Sequence, residues 1–599
     1  MKRTFLILAA VLALGITSCK KYLDQVPDDV LTIDDIFKSK TNTENFLANI
    51  YYLLPNEHEQ RFTGNENSGP WNSASDESKY TWSFNYTNSM NLGAWSSTDG
   101  EVDTYWSSYY KAIRNASYFI QNIDAANSAE VTTALKKQYK AEARALRAMF
   151  YFFLVRTYGP VIMLGEAPID INATAEELQL KRSPMDSCIS FIADELDKAA
   201  ADLGPTPGSD FGRVTSGVAK AYKVEVLLLA ASPLWNGNAD YAKFTNPGES
   251  TSLVNTTYDA NKWTKAATAA KEFLDTYVPS QYILYKESDD DPFVAAYESC
   301  RDVMLDEWNK EWIFARSKSG SYMTYDRTPF HVGLPSEVHG AGAHGATQTM
   351  VDAYFMANGL PIDAAGSGYL TSGFSSFQAP FDVTARSTYN QWVNREPRFY
   401  VGITYNNSYW LYQRGGTDII TNMETTGNSG RTQSTSDVSS TGYIVRKDVP
   451  ADDAGRGALL LRLANIYLDY AEALNESDPA NPDVLKYVNL IRERAGIPQY
   501  GTTIPVPASQ DAMRAAIRAE RRVELAFESV RYFDTRRWKI AETTNNGPIY
   551  GMNMYGSGTA FYTKTIIETR VFKAKDYLFP IPNKQILINP NLVQNPGWQ

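Results

Sequence analysis

Apolar positions recur at helical spacing through two long stretches of the chain and lose that spacing between them. From Val102 the pairs Tyr105-Trp106 and Tyr109-Tyr110, then Ile113, Ala116, Ile120 and Ile123, fall three and four residues apart. That interval puts them on one face of a helix. Ala134 to Tyr158 repeats the pattern with Tyr139, Ala143, Leu146, Phe150, Phe153 and Leu154, and Gly159-Pro160 stops it. Met185–Leu203, Ser216–Ser232 and Lys262–Tyr277 complete this block, Pro233 ending the second of them because it has no N–H for the helical ladder. A later block holds Leu459–Glu476, Pro482–Ala495 and Ser509–Phe527, joined by short Pro- or Gly-containing turns. Helix pairs of about 34 residues with small residues at their crossings predict tetratricopeptide-like units. Between the blocks, Asn309–Tyr443 is rich in Gly, Ser, Thr, Asn and Tyr and reads as long loops with short strands and a helix near Thr347–Met356. The expected fold class is mainly α: tetratricopeptide-like helix pairs forming a scaffold, with long loop-rich insertions and a few short strands.

The first residues change the picture of where the chain works. Lys2 and Arg3 precede an apolar run, Phe5–Ile16, shorter than the ~20 residues a membrane-spanning helix needs. Leu14-Gly15-Ile16-Thr17-Ser18-Cys19 then resembles a bacterial lipobox. Residues 1–18 are expected to be removed as a lipoprotein signal peptide, with Cys19 lipidated and the protein held on a membrane by acyl chains. Later in the chain the richest apolar run, Leu227–Leu234, has the length of a core helix.

The formal charge is −11, and loss of the signal peptide removes two positive charges more. Such acidity argues against nucleic acid as a partner, because phosphate contacts need clustered Lys and Arg. Cys188 and Cys300, the cysteines after Cys19, are compatible with a disulfide or with two buried thiols. His331, His339 and His344 lie near or within a Gly-rich stretch without the paired spacing of a metal site, so no metal and no cofactor is expected. Asp289-Asp290-Asp291 reads as a solvated acidic loop, without the spacing of a calcium loop. Aromatic content is 13%, with 38 Tyr and 12 Trp, side chains that offer an apolar face and a polar edge. Sugars present C–H faces that stack on such rings.

Several motifs occur together and in order. They are Ala141–Ala148 leading to Tyr158-Gly159-Pro160, Val351-Asp352-Ala353-Tyr354 through Asn358-Gly359-Leu360-Pro361-Ile362, and Arg395-Glu396-Pro397-Arg398-Phe399. Tyr467–Ala473, Ile491–Gly496, Glu520–Glu528 with Arg531–Trp538, and Phe579-Pro580-Ile581-Pro582 with Asn595-Pro596-Gly597-Trp598 follow. In combination the chain resembles the SusD/RagB family of outer-membrane nutrient-binding lipoproteins across nearly all of residues 19–599. The resemblance implies one SusD-like domain, with its helical scaffold at about 40–280 and 457–540 and a loop-rich glycan-binding region at about 60–100 and 285–445. It also implies an oligosaccharide or polysaccharide ligand and a SusC-like TonB-dependent transporter as partner. The protein would face the cell exterior on the outer membrane and break no bond. Against that pattern, Lys20-Lys21 rather than acids follow the cysteine.

The family's binding regions direct attention to two segments. In the first, Trp82 and Trp95 sit among Ser, Asn, Thr and Gly, where no helical face buries them. Asp76, Asn85 and Asn91 are their polar companions, with Trp71, Glu77 and Tyr80 nearby. In the second, Glu311–Phe314 alternates like a buried strand, which makes Trp312 core, and Arg316, Tyr322 and Tyr325 follow as candidates. Tyr405, Tyr409 and Trp410 form a third aromatic group. Two competing classes are a helical glycoside hydrolase and a capping lipoprotein for non-sugar cargo such as peptides. Hydrolysis needs two carboxylates facing across a cleft. The conspicuous acids, Glu520, Glu524 and Glu528, lie at i, i+4 and i+8 among arginines, which suits a structural ion-pair network.

Overall fold

The computed structural model describes residues 33–63, 68–170, 172–208, 210–317, 322–334, 338–411, 418–450 and 456–598, so Cys19 and the export signal lie outside the described residues. Helix α1 (Lys40–Tyr52) is started by Ser39, whose hydroxyl accepts the Asn42 N–H. It is followed by α2 (Gly100–Asn122), α3 (Thr133–Tyr158), α4 (Met185–Asp202), α5 (Ser216–Ala231) and α6 (Asn261–Tyr277). These match the periodic segments to within a residue or two. Thr132 and Thr215 cap α3 and α5 by accepting N–H groups that helix starts leave unpaired. Gly159 ends α3 at φ +76°, where a Cβ would strike the Trp235 ring at 2.9 Å.

Each of these helices packs on the next, and α6 packs on α9 (Leu463–Ser477), which meets α10 (Pro482–Arg494) and α11 (Gln510–Glu524). The two helical blocks, separated by nearly two hundred residues of sequence, thereby share one core that includes Phe150, Leu154, Leu196, Val226, Phe273, Leu468 and Ile491. The described strands pair in twos: β1 (Ser78–Tyr80) with β3 (His344–Ala346), β2 (Trp312–Arg316) with β8 (Ala458–Arg462), and β4 (Phe374–Phe377) with β5 (Arg386–Tyr389). β6 (Ile403–Thr404) pairs with β7 (Ile444–Val445), and β9 (Gly547–Met552) with β10 (Lys564–Arg570), all antiparallel.

Three expectations change. The apolar run Leu459–Leu461, read as the start of a helix, belongs to β8; it is covered on both faces, so its periodicity does not separate strand from helix. Pro292–Leu305, placed in the loop-rich part, is a helix, α7, capped by Asp291 with proline at its first position. The loop-rich block also has a core of its own, built on Trp392, Phe399, Tyr405, Tyr443 and Met350 and reaching Val523 of α11. Tyr405 is buried in this core and Trp410 in a smaller cluster with Val338, Ile419 and Val449, while Tyr409 is half-buried beneath Arg386.

Candidate functional site

β1 ends at Tyr80, and the turn that follows it brings the Trp82 and Phe84 rings alongside. They continue a file of rings that begins inside the molecule. Buried His344 on β3 stacks on Tyr80 at 4.8 Å with planes 10° apart. Tyr80 is 6.0 Å from Trp82, and Trp82 stacks on Phe84 at 5.3 Å and 18°. The file rises from buried Tyr80 through half-buried Trp82 to exposed Phe84. Trp82 is fixed in place by its Nε1–H, which donates to Asp437 at 3.0 Å. Helix α8 (Tyr322–Arg327) brings Tyr322 and Tyr325 to the same place, both exposed.

Arg61 holds the two sides together. Its guanidinium lies 4.6 Å from the Trp82 ring and 4.2 Å from the Tyr322 ring. It also pairs with buried Asp326 of α8, which accepts the Tyr80 hydroxyl at 2.9 Å. With its charge already paired, Arg61 acts as a spacer between rings, and the surface it leaves is aromatic and close to neutral. Glu59, two residues away, is pushed by burial up to about 7, although its carboxylate accepts the Arg61 N–H at 3.0 Å.

Several of the residues named from sequence do not reach this surface. Trp95 is 4% exposed, wedged edge-on against Phe579 at 5.1 Å and Trp598 at 4.7 Å, and has no face for a sugar. Asp76 is buried between Arg531 and Arg522, each 2.8 Å away. Burial alone would raise its carboxyl, but Arg522, Arg531 and Arg570 outweigh that and hold it well below the usual range. Asn85 is fully buried and donates to the Gln60 carbonyl at 3.1 Å, and buried Asn91 donates to the Ser73 carbonyl at 2.9 Å. These are loop-closing contacts. Trp71 likewise packs inward on Tyr532 and Phe533. Arg316 sits elsewhere, over the Tyr52 ring. Trp82, Tyr322 and Tyr325 are the candidates brought together. Phe84 was missed because it follows Trp82 in a turn beyond β1, where no strand alternation signals it, and Arg61 and Asp437 carry no local signal either.

The other polar clusters are structural. Glu524 is paired with Arg462 at 2.8 Å, Arg398 at 3.0 Å and Arg494. Glu520 is paired with Arg398 at 2.7 Å and Arg492 at 3.0 Å. Helix α11 ends at Glu524, and left-handed Phe527 and Ser529 turn Glu528 back onto Arg462 and Lys447. His331 is engaged at both ring nitrogens, by the Val338 carbonyl at 2.7 Å and the Thr421 hydroxyl at 2.9 Å. Cys188 and Cys300 are both buried and unpaired. Asp291 caps α7, and Asp289 accepts the Asp291 N–H at 2.8 Å.

Two family models match the chain: the SusD family over residues 310–598, and "starch-binding associating with outer membrane" over residues 21–223. This chain belongs to the SusD family. A SusD-like protein of Bacteroides ovatus is 22% identical over 534 residues, 82% of this chain and 80% of that one. SusD-like protein P2 of Formosa agariphila is 34% identical over 143 residues, which span 25% of its length. Among solved structures, BT4246 superposes with a TM-score of 0.81 at 26% identity, covering 94% of this chain and all of its own. A laminarin-binding SusD-like protein shares the fold at 18% identity and a TM-score of 0.56, over 94% of this chain and all of its own. The SusD-type helical scaffold thus accounts for the tetratricopeptide-like row, and the aromatic surface lies on its irregular side.

Proposed function

We propose that the protein is a cell-surface glycan-binding lipoprotein, anchored through Cys19, that captures oligo- or polysaccharide and delivers it to a SusC-like TonB-dependent transporter in the outer membrane. The observation that carries the binding step is the aromatic surface formed by half-buried Trp82 and exposed Phe84, Tyr322 and Tyr325 around the charge-paired Arg61. Rings fixed from behind by stacking lose little freedom when a sugar covers them, which favours affinity. Family membership supports the transporter and the membrane anchor, and the laminarin-binding relative supports a glycan as ligand. The protein binds without cleaving, a reading supported by the burial of Glu520 and Glu524 in arginine pairs, where they cannot flank a glycosidic bond.

The test is affinity electrophoresis of residues 20–599 through gels containing amylopectin, laminarin, xylan, galactomannan or mucin. Retardation by one polymer, its loss in Trp82→Ala and Tyr322→Ala, and no new reducing ends are expected. Equal retardation of the variants would remove the platform as the binding surface. New reducing ends would reinstate an enzyme.

A further inference from the structure

A cleft of about 600 Å³ opens between the end of α1 and residues 211–213 and 315–317, a volume typical of ligand sites. Two rings face solvent in and beside it, Tyr52 at 60% exposure and Phe211 at 59%. Both are braced. Arg316 lies over Tyr52 at 5.2 Å, and Phe211 stacks on Trp308 at 5.9 Å with planes 27° apart. Trp308 is in turn held edge-on by buried Trp312 at 5.7 Å. The polar wall is equally fixed. Arg213 donates twice to buried Glu142, at 3.1 Å and 2.8 Å, and Tyr51 donates to the same carboxylate at 2.6 Å. Glu44 accepts the Tyr139 hydroxyl, and the Arg213 guanidinium covers the Tyr139 ring at 5.0 Å. Outward aromatic faces beside immobilised polar groups form a surface that can stack on a sugar ring and bond its hydroxyls.

The cleft and the aromatic platform are joined twice by short lengths of chain. The Leu54 carbonyl accepts Arg316 Nη1 at the cleft, and the same strand of chain runs on to Arg61 at the platform. Ser317 lines the cleft and Tyr322 the platform, and five residues of chain hold their Cα atoms within ~18 Å. We propose that this cleft is a second, distal subsite for the same glycan chain, so that the protein selects long polysaccharide chains over short oligosaccharides. The proposal rests on the platform reading. Once one end of a chain is held by the platform, binding of the other becomes intramolecular, and affinity rises with length only when the chain spans both sites.

The test is calorimetric titration of residues 20–599 with maltotriose, amylopectin, laminaritriose and laminarin. A polymer is expected to bind at least tenfold more tightly per site than its trisaccharide. Tyr52→Ala combined with Phe211→Ala should cut polymer affinity about tenfold and leave the trisaccharide unchanged, while Tyr52→Phe keeps the wild-type value. Trp82→Ala should weaken both ligands. Thermal midpoints certify the folds, with Tyr52→Leu and Phe211→Leu replacing the double variant if it melts early. Unchanged polymer affinity in the cleft variants, with loss in Trp82→Ala, would overturn the cleft and leave the platform standing. Loss in the cleft variants without loss in Trp82→Ala would overturn the platform and with it the two-site arrangement. Failure of the intact protein to bind these two polymers or xylan, galactomannan or mucin would overturn both.

Discussion

Trp82 and Trp95 carry one side chain into opposite surroundings. Both are flanked by small residues, and nothing local separates them. What buries Trp95 is Phe579 and Trp598, supplied by the far end of the chain, whereas Trp82 is backed by Tyr80 and left open beyond Phe84. Removing each ring should therefore have unlike consequences. Trp95→Ala leaves a cavity among aromatic rings and is expected to lower stability by about 3–5 kcal/mol in urea unfolding, with glycan affinity of the folded protein unchanged. Trp82→Ala is expected to lower glycan affinity tenfold or more while stability stays within about 1 kcal/mol, as for other substitutions outside the core. A stable Trp95→Ala protein that has lost binding would return that ring to the site.

At the scale of elements, α11 delivers Glu520 and Glu524 into a nest of arginines from three separate segments, Arg398, Arg462 and Arg492-Arg494. Burial alone would raise the Glu524 carboxyl, but Arg494, Arg462 and Arg398 hold it well below the usual range. Glu524→Ala strands those cations in the interior and is expected to cost about 3–5 kcal/mol in urea unfolding. A loss below about 1 kcal/mol would mean the network is solvated. The charged face of this helix was legible in the spacing of its acids, as were α2 to α6, because a helix records its buried face every three or four residues. β8 was not, since a segment buried on both sides carries no period. The platform was half legible: ring-rich loops marked Trp82, Tyr322 and Tyr325, but Arg61 joins them only because β1 pairs with β3 and α8 precedes β3.

For the whole molecule, buried titratable groups pull stability in opposite directions with pH. Burial pushes the His331 imidazole down to about 4, so the unfolded chain binds the extra proton between there and the ordinary value of 6.5. That contribution is complete above pH 6.5 and is lost as pH falls through 4. Asp76 and Glu524, held low by arginines, add to the acid loss. Burial raises Glu77 to about 8, with the neighbouring Asp76 charge adding to it, and raises Glu59 to about 7. These two hold protons in the folded state that the unfolded chain has released, so their contribution is full below the ordinary carboxylate value and is lost as pH rises through 7 and 8. Between the ordinary carboxylate value and pH 6.5 the two glutamates lose more than His331 gains, so stability should peak at roughly pH 4–5 and fall on both sides. Glu77 provides the sharper test. Its Oε1 accepts the Phe527 N–H at 3.2 Å, a bond that glutamine can keep, whereas glutamine has no proton to lose. In wild type, urea unfolding should show about 2 kcal/mol less stability at pH 8 than at pH 6, one group contributing about 1.4 kcal/mol per pH unit at most. Glu77→Gln should flatten most of that alkaline fall and leave the acid side unchanged. An alkaline fall of the same size in Glu77→Gln would place the controlling proton elsewhere, with Glu59→Gln the variant that then distinguishes the platform's own carboxyl from the rest of the core.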